Sequence, residues 1–98
     1  MATLYIAEFQ RMGDDDRSVA QIAECPPLAQ QAITISAVSA QSAAFNTLTR
    51  FIRVHTDTAC WLEWGASPTA TTAKMPFPAD ATEYFGVIPG QKVAGITL

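Results

Sequence analysis

A succession of short β-strand patterns, separated by turn residues, constrains the fold of this chain most strongly. Over 51–98, apolar and β-branched residues alternate with polar ones in short runs, and Pro89-Gly90 marks the clearest turn. Such alternation with evenly spaced turn signals is typical of antiparallel sandwiches and barrels. The sequence therefore predicts an all-β protein, an antiparallel β-sandwich of jelly-roll-like type with about seven to eight short strands.

The same pattern sets the expected boundaries. Strands are predicted at 3–9, 19–25, 32–38, 51–57, 59–65, 82–88 and 92–98, with a short edge strand around 75–77. The segment 12–17 is predicted as a Gly- and Asp-rich turn, and 39–46 as a loop held by Phe45. Alternation places Ile52, Val54 and Thr56 on one face of the strand at 51–57. It likewise places Cys60, Leu62 and Trp64 on one face of the strand at 59–65.

Length and composition favour a single domain over residues 1–98, with the N-terminal segment open to a second interpretation as an arm or edge strand. Charged residues make up only 15% of the chain, against about 25% in an average globular domain. This low charge favours a surface that is partly covered by neighbours. The six Lys and Arg residues are scattered, so we expect no direct nucleic-acid partner.

The expected compartment follows from the N-terminal residues and the cysteines. The start of the sequence shows no signal-peptide pattern and no window resembles a membrane span, so we expect folding in a cytoplasm and no membrane partner. Cys25 and Cys60 would then be reduced. Their separation fits no zinc or redox motif, and we expect them to be buried as small apolar side chains.

Few residues are candidates for catalysis or for binding a metal or cofactor. His55, the one histidine, lies two positions from Asp57, so both side chains are expected on one strand face. Such a pair could orient a general base, but no nucleophile motif accompanies it, and a small hydrolase is the least favoured hypothesis. No catalytic, cofactor-binding or metal-ligating residue is predicted, and no cofactor.

Other conspicuous residues have structural interpretations. The run Asp14-Asp15-Asp16 lacks the spacing of a calcium loop and is predicted as an exposed loop tip, which could still dock onto a basic partner. Trp61 and Trp64 fall on opposite faces of one strand, one in the core and the other either at an interface or under the loop at 67–74. Structural turns and close strand approach are predicted for three glycines, Gly86, Gly90 and Gly95.

Several of these segments also resemble a known family. The strings SAQSAAFN, TRFIRVHTD, CWLEWGASPTAT and TEYFGVIPGQKVAGI are similar to those of small structural proteins of tailed bacteriophages. The resemblance covers roughly 34–96 and is most specific at 65–71 and 83–90. It implies a virion component without catalytic residues, a head decoration or cement protein with a β-sandwich fold.

The resemblance implies a location on the capsid surface, after assembly in the bacterial cytoplasm. Its expected partners are the major capsid protein and other copies of the chain, contacted through loops such as 65–73. Two alternatives stay open: a head–tail connector or fibre-associated protein, and a carbohydrate-binding module for host attachment. In the latter, Trp61 or Trp64 would stack on sugar rings together with Tyr84.

Overall fold

The protein folds into two packed antiparallel sheets and a separate hairpin. The structure, a computed structural model, describes residues 2–14, 19–23 and 25–97, with the backbone alone over 12–14 and 19–23. Its strands are β1 (Ala2–Phe9), β2 (Met12–Asp14), β3 (Val19–Ala23), β4 (Ala29–Ile35), β5 (Ala40–Gln41), β6 (Phe51–Thr56), β7 (Cys60–Gly65), β8 (Met75–Phe77), β9 (Thr82–Gly86) and β10 (Lys92–Ile96). The described residues contain no helix that could cross a membrane.

The strand order confirms the predicted all-β sandwich. The first sheet has the order β4-β1-β6-β9 and the second the order β5-β10-β7-β8. All pairings are antiparallel. From β4 onward the chain passes from one sheet to the other at most connections, as in a jelly roll.

The core lies between the two sheets and follows from the alternation along each strand. Leu4 and Ile6 of β1 and Ile52 and Val54 of β6 face inward from the first sheet, with at most 2% of their surface exposed. The second sheet and the loops add Cys60, Leu62, Phe77, Val93 and Phe45. The faces predicted for β6 and β7 and the anchoring role of Phe45 are therefore confirmed. The segment 39–46 is not all loop, however, because Ala40 and Gln41 form β5 by pairing with β10.

The hairpin of β2 and β3 lies between β1 and β4 along the chain and forms a two-stranded sheet of its own. These two short strands contact each other far more than they contact any other strand, and the described chain measures 46 × 26 × 21 Å. Part of the segment predicted as a turn at 12–17 is therefore strand, because Met12 and Asp14 pair with Ala23 and Val19 across an irregular register. Residues 15–17 lie outside the described part of the chain.

The other boundary differences are small and have local causes. The third predicted strand is displaced from 32–38 to 29–35, because pairing with β1 extends from Ala2↔Ile35 to Glu8↔Ala29. The strand predicted at 19–25 ends at Ala23, two residues before Cys25 and Pro26. The last two strands end at Gly86 and Ile96 rather than at 88 and 98.

Two glycines occupy positions that a residue with a Cβ would fit poorly, one in a turn and one where the sheets approach closely, as the sequence predicted. Gly90 has φ 84°, and Gln91 N donates to Ile88 O at 3.2 Å, which closes the Pro89-Gly90 turn with a left-handed residue at its third position. A Cβ at Gly95 would lie 3.1 Å from the Ile35 side chain of the opposite sheet and 3.5 Å from Leu4. The two sheets therefore approach closely at Gly95.

A buried carboxyl group joins the first sheet to the long loop before β6. Glu8 is 1% exposed. Its Oε1 accepts hydrogen bonds from Asn46 N and from Thr49 Oγ1, both at 2.8 Å. Its Oε2 accepts one from Gln31 Nε2 at 2.9 Å. These bonds satisfy a group that would otherwise be costly to bury, and they fix the loop against β1 and β4.

We expect Glu8→Ala to lower the free energy of unfolding by about 2–4 kcal/mol, because it leaves Thr49 and the Asn46 amide without their acceptor. Chemical denaturation followed by tryptophan fluorescence measures the change. Glu83→Ala removes an exposed carboxylate from β9 and should stay within about 0.5 kcal/mol of wild type. Equal effects of the two substitutions would contradict the role assigned to Glu8.

We expect Gly95→Val to destabilise the sandwich by about 2 kcal/mol or more, since the added methyl groups must displace Ile35, Leu4 or Leu62. Gly86→Val is the matched control, because a Cβ at Gly86 meets nothing within 4 Å. Thermal unfolding of both variants compares them directly. A Gly95→Val protein that is as stable as Gly86→Val would show that the sheets separate easily at this point.

Candidate functional site

The outer face of the first sheet carries the largest group of aromatic side chains near the surface. Because Leu4, Ile6, Ile52 and Val54 point inward, the residues between them point outward. Register places Tyr5 opposite His55, Phe9 opposite Phe51 and Arg53 opposite Tyr84. We name this surface the aromatic face, defined by Tyr5, Phe9, Phe51, Arg53, His55 and Tyr84.

The rings of the aromatic face pack on one another across three strands. Phe9 and Phe51 are stacked with centroids 5.2 Å apart, and Tyr84 lies 6.2 Å from Phe51 and 6.3 Å from Phe9. Phe9 is only 4% exposed, whereas Tyr84 is 55% exposed. The cluster therefore has a fixed base and an accessible outer ring, an arrangement that suits a contact residue.

A shallow depression of about 590 Å³ lies beside these rings. It is lined by residues of β1, β4, β6 and β9, among them Tyr5, Gln30, Ala32, Arg53 and His55. His55 Nδ1 lies 2.8 Å from Thr82 Oγ1, which orients the imidazole along the sheet. The depression combines a tyrosine ring, an exposed guanidinium and amide groups, so it can accept both planar apolar and hydrogen-bonding groups.

Exposed aliphatic residues extend the apolar surface at one end of the sheet. Arg50 N donates to Phe9 O, and Val87 N donates to Arg50 O. Leu48 and Ile88, which lie next to these residues in sequence, are 47% and 62% exposed. The bonds of Arg50 bring the chain segments that carry Leu48 and Ile88 to the end of the sheet at Phe9, where exposed apolar side chains add to the surface open to a partner.

The outer face of the second sheet is covered by the chain itself. Pro68 and Ala70 of the loop 66–74 are buried, and Ala94 on the outer face of β10 has no exposed surface. Gln41 Nε2 donates to Pro68 O at 2.8 Å, and Ala70 N donates to Ser39 Oγ at 2.9 Å. The loop expected to contact neighbours is thus anchored through Pro68 and Ala70, while its other residues remain exposed.

An ion pair holds the far end of that loop. Lys74 Nζ lies 3.2 Å from Glu63 Oε2, and this contact, helped by the Trp64 backbone amide, lowers the pKa of Glu63. Both side chains are partly exposed, so the pair adds little stability. It mainly holds the end of the loop against β7, where the chain enters β8.

His55 and Asp57 do not form a hydrogen-bonded dyad in the described part of the chain. Asp57 Oδ1 accepts bonds from Thr3 N at 2.9 Å and from Thr58 Oγ1 at 3.1 Å, and the bond from Thr3 is the main cause of its lowered pKa. His55 is directed to Thr82. The Asp57 carboxylate thus binds the Thr3 amide just beyond the last residue pair of β1 and β6, instead of orienting an imidazole.

The tryptophans separate as predicted, but neither shares a surface with Tyr84. Trp64 faces the core, where its ring lies 4.9 Å from that of Phe85 and its Nε1 is buried without a hydrogen-bond partner. Trp61 is half-buried on the outer face of the second sheet. The aromatic platform imagined for sugar binding, with Trp61 or Trp64 beside Tyr84, is therefore not assembled.

The other residues singled out in the sequence are the acidic run at 14–16 and the two cysteines. The backbone of Asp14 lies in β2, and Asp15 and Asp16 lie outside the described residues. Within the described residues no group of three or more His, Cys, Asp and Glu could hold a metal ion. Cys60 is buried, as expected, whereas Cys25 is exposed, so its predicted burial is wrong. The chain emerges at the surface there, directly before Pro26 and Pro27.

Sequence reasoning missed most of the aromatic face, although a signal was present. The alternation within β1 and β6 already placed Tyr5 opposite in direction to Leu4, and Arg53 and His55 opposite to Val54. Alternation gives the direction of each side chain but not the order of the strands. The order β1-β6-β9 is what brings Phe9, Phe51 and Tyr84 together.

Comparison with known proteins adds no relative. No family model matches the chain, and neither the curated proteins nor the solved structures give a match.

We expect the two cysteines to differ sharply in reactivity. Burial raises the pKa of the Cys60 thiol, an effect partly offset by a hydrogen bond with Thr56, so both access and thiolate formation are reduced. A chromogenic disulfide reagent should label Cys25 rapidly in the native protein and Cys60 only after unfolding. Cys25→Ser should abolish the fast phase. Rapid labelling in Cys25→Ser would show that Cys60 is accessible.

Proposed function

We propose that this chain is a non-enzymatic structural protein of a tailed-bacteriophage virion, a capsid decoration or cement protein that binds the shell of major capsid protein. Its other partners are further copies of itself. The observation that carries the proposal is the exposed aromatic face with its apolar extension, presented on a rigid sandwich. A protein that reinforces a shell needs such a contact surface and no chemistry of its own.

One of the two segments with the most specific phage resemblance contributes to this surface. Residues 83–90 contribute Tyr84 to the aromatic face, Phe85 to the packing against the core, and the exposed Ile88 beside the turn. Gly90 then closes that turn with a positive φ. The motif therefore combines a contact residue with the residues that hold it in place, which supports an attachment role for this part of the chain.

The composition of the face fits a protein–protein contact. Aromatic residues and Arg are enriched at the centres of interfaces, and the face offers two exposed tyrosines, the partly exposed Phe51 and Arg53. On a symmetric shell many copies act together, so modest individual contacts suffice for firm attachment. The low charge of the chain also limits the desolvation cost of covering this surface.

Electron cryo-microscopy of purified virions tests the location. We expect density of the size of this sandwich on the outside of the capsid, with the first sheet toward the shell. Density confined to the head–tail connector or the fibres would contradict the decoration role and support the connector or fibre alternative. Absence of the chain from purified particles would contradict a virion role altogether.

The contact surface is tested by binding to particles that lack the chain. We expect Tyr84→Ala to reduce the number of copies that co-sediment with such particles at least tenfold, as expected for an interface anchor worth about 1.4 kcal/mol or more. Val38→Ala is the matched control, since Val38 is 75% exposed and lies outside the aromatic face. Equal binding of the two variants would contradict the role of this face.

A carbohydrate-binding role is the second candidate, and the depression beside Tyr5 favours it. Tyrosine, Arg53 and amide side chains around a shallow concavity can stack on a sugar ring and hydrogen-bond its hydroxyl groups. A glycan array distinguishes the two functions. Specific glycan binding that Tyr5→Ala abolishes would support attachment to a host surface, whereas no binding to any glycan would remove this candidate.

A further inference from the structure

The four edges of the two sheets are not equally protected against pairing with another chain. Exposed edge strands offer unpaired backbone groups, and proteins usually shorten them, charge them or interrupt them with proline. The second sheet ends in β5, with two residues, and in β8, with three residues that include Pro76. In the first sheet β9 carries the charged Glu83. The fourth edge, β4, has none of these protections.

The edge strand β4 is well suited to accept another strand. It has seven residues, AQQAITI, with no charge and no proline. Within the described part of the chain β1 is the only strand that pairs with it. Its outer face exposes Gln30, Ala32 and Thr34. The residue at the centre of the strand, Ala32, has a small side chain that leaves room for a second strand.

We propose that β4 pairs antiparallel with β4 of a second copy of this chain, about a two-fold axis at Ala32. The two first sheets then form one continuous eight-stranded sheet. In an antiparallel pair, residues opposite one another share a face, so this register places inner face against inner face and outer face against outer face. It thus joins the two cores without exposing apolar residues.

The sequence of β4 is self-complementary about this axis. Ala32 meets Ala32 of the second copy without steric conflict, and Gln30 meets Thr34 on the outer face. On the inner face Gln31 meets Ile33, which is only partly buried and packs at the margin of the core. The pairing covers the exposed part of Ile33 and satisfies the backbone groups along the whole edge.

The geometry also preserves the contact surface. The dimer axis lies at the β4 edge, three strands away from Tyr84 on β9. Two aromatic faces would therefore lie side by side on one extended sheet and point in similar directions. Such a pair could engage two neighbouring capsid subunits at once, which strengthens attachment by avidity.

This inference deepens the proposed function, on which it rests for the contact between copies, but its test uses the purified protein alone. Sedimentation equilibrium over a wide concentration range should show the average mass rising toward twice the 10.5 kDa of one chain. Hydrogen exchange of the amides in 29–35 should slow as concentration rises. A chain that stays monomeric overturns the edge pairing and leaves attachment to a capsid open.

Charge substitutions at Ala32 test the axis itself. Ala32→Lys places two like charges opposite each other and should keep the protein monomeric. Ala32→Glu should do the same, and an equimolar mixture of the two variants should restore the dimer mass. Ala79→Lys adds the same charge at an exposed alanine away from β4 and should dimerise like wild type.

Three results would overturn the proposal. The first is a dimer that Ala32→Lys leaves intact, which would place the interface elsewhere. The second is a mixture of Ala32→Lys and Ala32→Glu that stays monomeric although both variants show wild-type circular dichroism. The third is a wild-type protein in which rising concentration slows amide exchange at other residues but not in 29–35.

Discussion

The central position of β1 is the constraint on which the other parts of the structure depend. It pairs with β4 on one side and β6 on the other, so its inner side chains must fit against both sheets. Leu4 and Ile6 do so by apolar packing, and Glu8 by three hydrogen bonds to neutral donors. Because those donors belong to β4 and the loop before β6, one strand fixes the sheet order and the loop that crosses the sandwich.

The two outer faces differ because the chain covers one of them. The loop 66–74 is held to the second sheet by hydrogen bonds with Ser39 and Gln41, and Ala94 on the outer face of that sheet is fully buried. The first sheet has no such cover over Tyr84 and Tyr5. An apolar surface that a small domain leaves open costs it little stability but gives it affinity for a partner. This asymmetry is what supports a structural, adhesive role.

Much of the fold was predictable from local pattern. The inner residues of β6 and β7, the turn at Pro89-Gly90, the edge strand at 75–77 and the anchoring by Phe45 all follow from alternation and turn chemistry. The third strand was displaced because its ends depend on its partner β1, not on its own residues. Cys25 was assigned to the core because residue type alone does not report how the chain emerges before Pro26 and Pro27.

The sequence by itself determined most of the strands, their faces and the Pro89-Gly90 turn, because these depend on residues that are neighbours along the chain. Only the tertiary structure decided which faces meet and which remain open, because sheet order depends on contacts between distant segments. Phe9, Phe51 and Tyr84 are far apart in sequence and become one surface through the order β1-β6-β9. The exposed edge of β4 arises in the same way, since a strand becomes an edge only when the rest of the chain has paired elsewhere.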